Sequence, residues 1–188
     1  MVLPGTYQVR LTVAGHSYTQ PLTVKMDPRV TTSQADLAAQ LDFGLKISAA
    51  ARQAYSAHSQ VHDLRTQLKS LHDRLGDDPH ARQILAAADE LDRKALALEG
   101  VRGRDAFVTE SLSKTIETLA ALALAVNDTA DRAPTTQASA AFEATRLALG
   151  SQLAQWEALQ QKDLSALNAL VRDSKIPPLR IAPAAPRQ

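Results

Sequence analysis

The chain has 188 residues, of which 34 are alanine, 7 are glycine and only a few are aromatic (3 Phe, 3 Tyr and 1 Trp). Because alanine is the strongest helix former, this composition excludes an all-β fold. Lys plus Arg number 21 and Asp plus Glu number 20, so there is no strong field to hold a nucleic acid or an anionic membrane. There is no cysteine, which excludes disulfides, thiolate metal sites and cysteine nucleophiles.

The first 30 residues have the pattern of a β-hairpin. Apolar and polar side chains alternate over residues 6–13, and a second alternating run follows the turn at Ala14 and Gly15. The apolar side chains on one face are Tyr7, Val9, Leu11, Val13, Tyr18, Leu22 and Val24. A two-stranded hairpin is marginally stable alone. Either it docks on the rest of the chain, or it is the remnant of an immunoglobulin-like sandwich whose other strands are missing. We favour the second, which predicts a fragment or truncated product of a larger protein.

From residue 31 the apolar period lengthens from two residues to between three and four. Ser33 and Asp36 match a capping box and predict a first helix over residues 33–75. A helix of this length would extend about 65 Å, so a break near Gly44 or Ser56 remains open. The predicted apolar stripe of this helix is Leu37, Leu41, Leu45, Ser48, Ala51, Tyr55, His58, Val61, Leu64, Leu68, Leu71 and Leu75.

Three further helices follow. Asp78 caps a second helix over residues 79–99, with Leu96 on its apolar side, and a third is predicted from about residue 105 to 132. Thr135 opens a fourth helix, which runs to about residue 172.

The predicted fold class is mainly α: an elongated antiparallel bundle of about four helices preceded by a short N-terminal β-hairpin. The predicted domains are the hairpin at residues 1–30, the bundle at 31–173 and a Pro/Ala-rich tail at 174–188, expected to be extended and solvated. The longest apolar run has 8 residues, whereas a membrane span needs about 20. We therefore expect no membrane span.

Two motifs resemble catalytic or metal-binding patterns. His58 and His62 lie one helical turn apart, a spacing that can hold zinc, but Ser59 stands where a zinc protease has glutamate. Ser111 and Lys114 fit S-x-x-K, in which a lysine activates a serine, but the companion motifs are missing. We interpret the histidines as interface residues and the second motif as a chance match. The sequence therefore predicts no catalytic residue, no metal site and no cofactor.

Two other features have structural interpretations. Asp89, Glu90 and Asp92 are followed by basic residues and indicate a solvated face with pairs that stabilise the helix. Trp156, the sole tryptophan, lies on an apolar stripe and is predicted to anchor the core rather than to form a ligand platform.

Four stretches and the tryptophan carry a family resemblance. They are PGTYQVRLTVAG (4–15), YTQPLTVKMDPR (18–29), DRAPTTQ (131–137), Trp156 and LSALNAL (164–170). Together they resemble the C-terminal region of bacterial sortilin-like, BNR-repeat "glycosyl hydrolase" proteins. The resemblance implies exported proteins in which a β-propeller comes first, then a small immunoglobulin-like sandwich, then helices.

The resemblance implies a noncatalytic structural or interaction module, because the chain has no S-x-D-x-G-x-T-W repeat and any hydrolase label belongs to the missing propeller. The implied location is periplasmic or extracellular. The implied partner is the rest of a larger β-propeller protein; whether the chain binds a small molecule is left open. The alternative is a module that forms homo-oligomers through its alanine-rich helix faces. An enzyme acting through Ser111 with Lys114, or through the histidines, is the weakest interpretation.

Overall fold

The structure is a computed structural model and describes residues 2–76, 78–100, 110–127, 131–174 and 176–181. Its elements are β1 (Gly5–Val13), β2 (His16–Val24), α1 (Gln34–Leu75), a 3₁₀ turn (Pro79–Ala81), α2 (Arg82–Glu99), α3 (Leu112–Asn127), α4 (Thr136–Ala158), a π-helical segment (Leu159–Leu164) and α5 (Ser165–Asp173). The prediction of a mainly α bundle preceded by a β-hairpin is confirmed. The predicted start of the third helix, near residue 105, lies outside the described residues.

Strands β1 and β2 form a two-stranded antiparallel sheet closed by a two-residue loop. The register pairs Val13 with His16 and Gly5 with Val24. The loop residues Ala14 and Gly15 have φ angles of 49° and 82°. Positive φ at both positions is the geometry of a type I′ turn, whose twist matches that of the strands. The hairpin is therefore set by its own local sequence.

Helix α1 runs unbroken for 42 residues, so neither Gly44 nor Ser56 interrupts it. The Ser33 side chain caps it by accepting a hydrogen bond from the Asp36 amide at 3.1 Å. Its buried residues are Leu37, Gln40, Phe43, Ile47, Ala50, Ala54, Ala57, Val61, Leu64, Leu68 and Leu71.

The predicted stripe of α1 was correct at Leu37 but wrong at Leu45, Ser48 and Tyr55. Leu45 is 60% exposed and Tyr55 is 45% exposed, whereas Phe43 and Ile47 are buried. The buried positions from Ile47 onward recur in alternating steps of three and four, which keeps them on one side of the helix. The prediction instead began with repeated steps of four, and each such step moves about 40° round the helix.

Contacts between residues of different helices show that the helices form three columns. Phe43 stacks edge-on against Phe142, and Trp156 contacts Gln60, so α4 runs parallel to α1. The column that contains α2 and α3 runs in the opposite direction, because its residue numbers fall as those of α1 rise. The contacts are Gln40 with Val126, His58 with Ser113, His62 with Glu99, and His72 with Asp89. Helices α2 and α3 therefore lie end to end, both antiparallel to α1.

The third column changes register at its π-helical segment. In α4 the buried residues follow steps of three and four, but the step from buried Leu159 to buried Leu164 is five. One wide helical turn absorbs the extra residue, so that Leu167 and Val171 of α5 stay in the core. The same segment places Asp163 Oδ1 2.6 Å from Lys94 Nζ of α2.

The apolar sides of α2, α3 and α4 are largely buried. Leu96 of α2 is an exception at 36% exposure, and Ala95 next to it is fully buried. None of the helices within the described ranges is long and apolar enough to cross a bilayer.

The prediction of a solvated tail was wrong for residues 176–181. Leu179 is only 6% exposed, and Ile176 and Ile181 pack against the core. Two side-chain amides, of Asn168 and Gln67, hydrogen-bond the backbone of this segment. We call residues 176–181 the strap.

Candidate functional site

The hairpin presents an apolar face that no other described residue covers. Its members lie on one side of the sheet, because the register places Tyr7 opposite Leu22 and Leu11 opposite Tyr18. Their exposures lie between 36% and 62%. We call this set the hairpin apolar face: Tyr7, Val9, Leu11, Val13, Tyr18 and Leu22.

The other side of the hairpin is polar. There Thr6 pairs with Thr23, and Thr12 lies opposite Ser17, with their hydroxyl oxygens 2.9 Å apart. A sheet with one apolar and one polar face is the pattern of a layer that packs on a second sheet. A contiguous exposed apolar surface of this kind commonly marks an interaction site.

A second candidate is a polar cluster where α2 ends and α3 begins, beside the second half of α1. Glu99, the last residue of α2, has a side chain that is only 7% exposed. It accepts hydrogen bonds from Arg65 Nη1 at 2.7 Å and from His62 Nδ1 at 2.8 Å. Arg65 also donates to Asp92 through Nε at 2.9 Å. The cluster ties α1 to α2 by charge as well as by packing.

The pKa values in this cluster reflect competing effects. Burial acts to raise the pKa of Glu99, but the hydrogen bonds and charges of Arg65 and His62 outweigh it and hold the pKa below its usual value. Burial acts to lower the pKa of Arg65, and its bonds to Asp92 and Glu99 overcome that effect and raise it. Glu99 and Arg65 are therefore held in their charged forms.

Gly100 allows the two helices to meet closely. It has a φ of 79°, and a Cβ built on it would collide with Ser111 Oγ at the start of α3. Glycine is the residue that adopts such a backbone angle without a steric cost. The end of α2 and the start of α3 thus abut beside the polar cluster.

The two histidines singled out from the sequence contact different partners. His62 Nδ1 binds Glu99, whereas His58 Nε2 lies 3.2 Å from Ser113 Oγ. Both residues therefore lie at helix interfaces, which is the interpretation made from the sequence. Within the described ranges, no group of three or more His, Asp or Glu side chains is arranged to hold a metal ion.

The S-x-x-K motif forms the start of α3. Ser111 Oγ accepts a long hydrogen bond from the backbone amide of Lys114 at 3.4 Å, and Ser111 is 1% exposed. This hydroxyl is in the position of a helix cap. Ser113, which contacts His58, is 4% exposed. Neither hydroxyl is accessible to a substrate in this conformation.

The acidic residues of α2 have two kinds of partner. Glu90 pairs with Arg93 and Lys94 of its own helix, as the sequence indicated. Asp92 and Asp89 instead reach across to Arg65 and His72 of α1. The groove between these helices has a volume of about 370 Å³, and both acidic and basic side chains line it. The charged residues among them are three aspartates, one arginine and one lysine.

Trp156 is buried at 3% exposure, which confirms its predicted place in the core. Its Nε1 donates to Gln60 Oε1 at 3.0 Å. Sequence reasoning missed Glu99, Ser113, Gln67 and Asn168. No sequence signal marked Glu99, because a carboxylate at the end of a helix is normally solvated, and only the contacts with Arg65 and His62 show that it is buried.

The described residues define a helical bundle that carries an amphipathic hairpin, one face of which none of them covers. No family model matches the chain, and neither the curated proteins nor the solved structures give a significant match. The resemblance to the sortilin-like BNR-repeat proteins stays a prediction.

Proposed function

We propose that the chain is a noncatalytic structural and interaction module, and that its hairpin completes a β-sandwich supplied by another part of a larger exported protein. The sequence resemblance suggests that this larger protein is of the sortilin-like BNR-repeat kind. The hairpin apolar face, 36% to 62% exposed, carries the proposal. The helices already bury a core of their own. Covering the hairpin apolar face would therefore be the main way to bury more apolar surface.

The chemistry of the face supports a sheet as the partner. The six members of the hairpin apolar face are uncharged, and four of them come from β1 at every second position. Side chains at this spacing interdigitate with those of a facing sheet about 10 Å away. A partner layer of this kind would add packing and also the third and further strands that an independent sheet needs.

The test uses matched pairs of lysine substitutions in the full chain. Leu11→Lys with Leu22→Lys charges the hairpin apolar face, and Thr12→Lys with Thr23→Lys adds the same charge to the adjacent positions on the polar face. The partner is the immunoglobulin-like sandwich of a BNR-repeat protein from which the last two strands have been removed. Size-exclusion chromatography of mixtures measures the complex.

We expect the unmodified chain and the threonine variant to form the complex, and the leucine variant to lose it. Loss in both variants, or in neither, would contradict a sheet docked on the apolar face. Cleavage of a glycoside by the purified chain alone would contradict the noncatalytic assignment.

A second candidate is self-association through helix faces, and one observation favours it. Leu124 of α3 and Leu147 of α4 are 61% and 66% exposed. The exposed residues around Leu124 are alanines (Ala120, Ala121 and Ala125), and Ala144 is exposed near Leu147. Small side chains let helices approach closely. Analytical ultracentrifugation of a Leu124→Lys, Leu147→Lys variant distinguishes this candidate: it predicts a dimer that dissociates, whereas docking through the hairpin predicts no change.

A further inference from the structure

The strap is held between α1 and α5 in the way that a sheet holds a strand. Asn168 of α5 donates through Nδ2 to the carbonyl of Leu179 at 3.0 Å and accepts from the Leu179 amide at 2.8 Å. Gln67 of α1 does the same for the next residue: it donates to the Arg180 carbonyl at 2.7 Å and accepts from the Arg180 amide at 3.0 Å.

These four bonds satisfy both edges of an extended segment. In an extended chain the amide and carbonyl of one residue point to one side, and those of the next residue point to the other. Each amide side chain has both a donor and an acceptor, so one Asn and one Gln can replace the neighbouring strands. On the strap, these four hydrogen bonds involve backbone atoms only, so they do not depend on which side chains the strap carries.

Side-chain recognition comes from the alternation of the segment. Leu179 is buried, Arg180 is exposed, and Ile181 is half-buried. Pro177 and Pro178 precede them; both are exposed and have no amide to satisfy. Since proline fixes φ near −65°, the segment loses little further backbone freedom when it docks.

We propose that the surface between Gln67 and Asn168 is a binding site for an extended peptide, and that the strap is its resident ligand. The site takes an extended backbone with a branched aliphatic side chain at the position of Leu179. It is separate from the hairpin apolar face and does not depend on the function proposed above. Recognition of a backbone by added strand-like hydrogen bonds is a recurrent mode of peptide binding.

The first test measures hydrogen exchange in the unmodified chain. We expect the amides of Leu179 and Arg180 to exchange at least tenfold more slowly than in the free peptide SKIPPLRI, which covers residues 174–181. In an Asn168→Ala variant the Leu179 amide is expected to lose this protection. Exchange at the free-peptide rate in the unmodified chain would overturn the proposal without any variant.

The second test supplies the peptide from outside. A full-length Leu179→Asp variant expels its own strap, because an aspartate cannot enter the apolar site without a large desolvation cost. Fluorescein-labelled SKIPPLRI should bind this variant, as measured by fluorescence polarisation, and a peptide with the same Leu→Asp change should not. The unmodified chain should bind at least tenfold more weakly, since its tethered strap competes at an effective millimolar concentration.

The matched controls remove one amide each from the Leu179→Asp chain. Asn168→Ala should weaken peptide binding at least tenfold, whereas Gln161→Ala, which removes an exposed amide that pairs with Glu157, should not. Circular dichroism checks that each variant keeps its helices. Equal binding by all variants, or no binding by a helical Leu179→Asp chain, would overturn the proposal; if that chain is unfolded, the hydrogen-exchange result decides.

Discussion

Leu11 of the hairpin is 59% exposed and Leu119 of α3 is fully buried, although each leucine lies on the apolar side of its element. The difference lies in what surrounds each element. Helix α3 packs against α1 on one side and α4 on the other. The hairpin has the alternation of a buried layer, yet no described part of the chain covers it. An apolar pattern therefore shows that burying a face is favourable, but it does not show which surface covers that face.

The two regions also differ in how local their structure is. The hairpin depends on a two-residue turn and on pairing between neighbouring strands. The bundle depends on contacts between residues far apart in sequence, such as Gln67 with Arg180. We therefore expect substitutions in the bundle to alter global unfolding, and substitutions in the hairpin to alter only the hairpin or its partner.

The largest expected effect compares two leucine deletions. Leu119→Ala leaves a cavity in the core and should lower the free energy of unfolding by about 2–5 kcal/mol. Leu11→Ala removes an exposed side chain and should change it by no more than about 0.5 kcal/mol. Urea unfolding followed by circular dichroism measures both. A cost for Leu11→Ala as large as that for Leu119→Ala would mean that the hairpin face is already buried in solution.

The outcome for α1 shows what the sequence could predict. Its ends followed from local chemistry, because Ser33 caps the first turn and Gly76 follows the last. Its buried face did not, because the predicted stripe gave priority to leucines. The actual face combines Phe43 and Ile47, which the predicted stripe passed over, with alanines such as Ala54 and Ala57. Small residues carry little hydrophobic signal of their own, and only a facing helix shows that they are buried.

The three-column arrangement was also beyond the sequence argument. A short connector usually reverses the chain, but the segment from Gly100 to Ser111 joins two helices that run in the same direction. Both helices pack on α1, which at 42 residues is long enough to accept them in line. The five-residue step from Leu159 to Leu164 was visible in the sequence and could have predicted the change of register.

The docking of the strap depends on contacts that no periodicity reveals. Gln67 and Leu179 are far apart in sequence, and a polar residue on a helix face normally indicates solvent. Two prolines at 177–178 indicated an extended backbone. Only the placement of Gln67 and Asn168 on either side of the segment shows that it is bound.

A smaller effect on the stability of the bundle is expected from the charges around Glu99. Glu99→Gln keeps the shape of the side chain but removes its charge beside Arg65, and should cost about 1–3 kcal/mol at neutral pH. Because folding lowers the pKa of Glu99, its carboxylate stabilises the fold above the unfolded-state pKa, about 4.3. That contribution is lost as the pH falls through the lower, folded-state pKa.

Urea unfolding between pH 7 and pH 3 measures this dependence. The unmodified chain should lose stability more steeply with acid than the Glu99→Gln variant, and the two curves should converge at low pH. Glu143→Gln, which removes an exposed carboxylate paired with Arg146, is the control and should run close to the unmodified chain. Parallel curves for Glu99→Gln and the unmodified chain would show that the charge of Glu99 does not stabilise the bundle.

The smallest effect on the bundle is expected from the hairpin turn. Ala14 has a φ of 49°, a left-handed conformation that costs a residue with a Cβ about 1–2 kcal/mol. Asparagine tolerates this conformation better, and Asn-Gly is the strongest sequence for a type I′ turn. Ala14→Asn should therefore slow hydrogen exchange of the β1 and β2 amides severalfold and leave the urea midpoint of the bundle unchanged. Because no described helix packs on the hairpin apolar face, a more stable turn should not make the helices more stable. A shift of the bundle midpoint would show that the two regions unfold together and that this comparison between them is wrong.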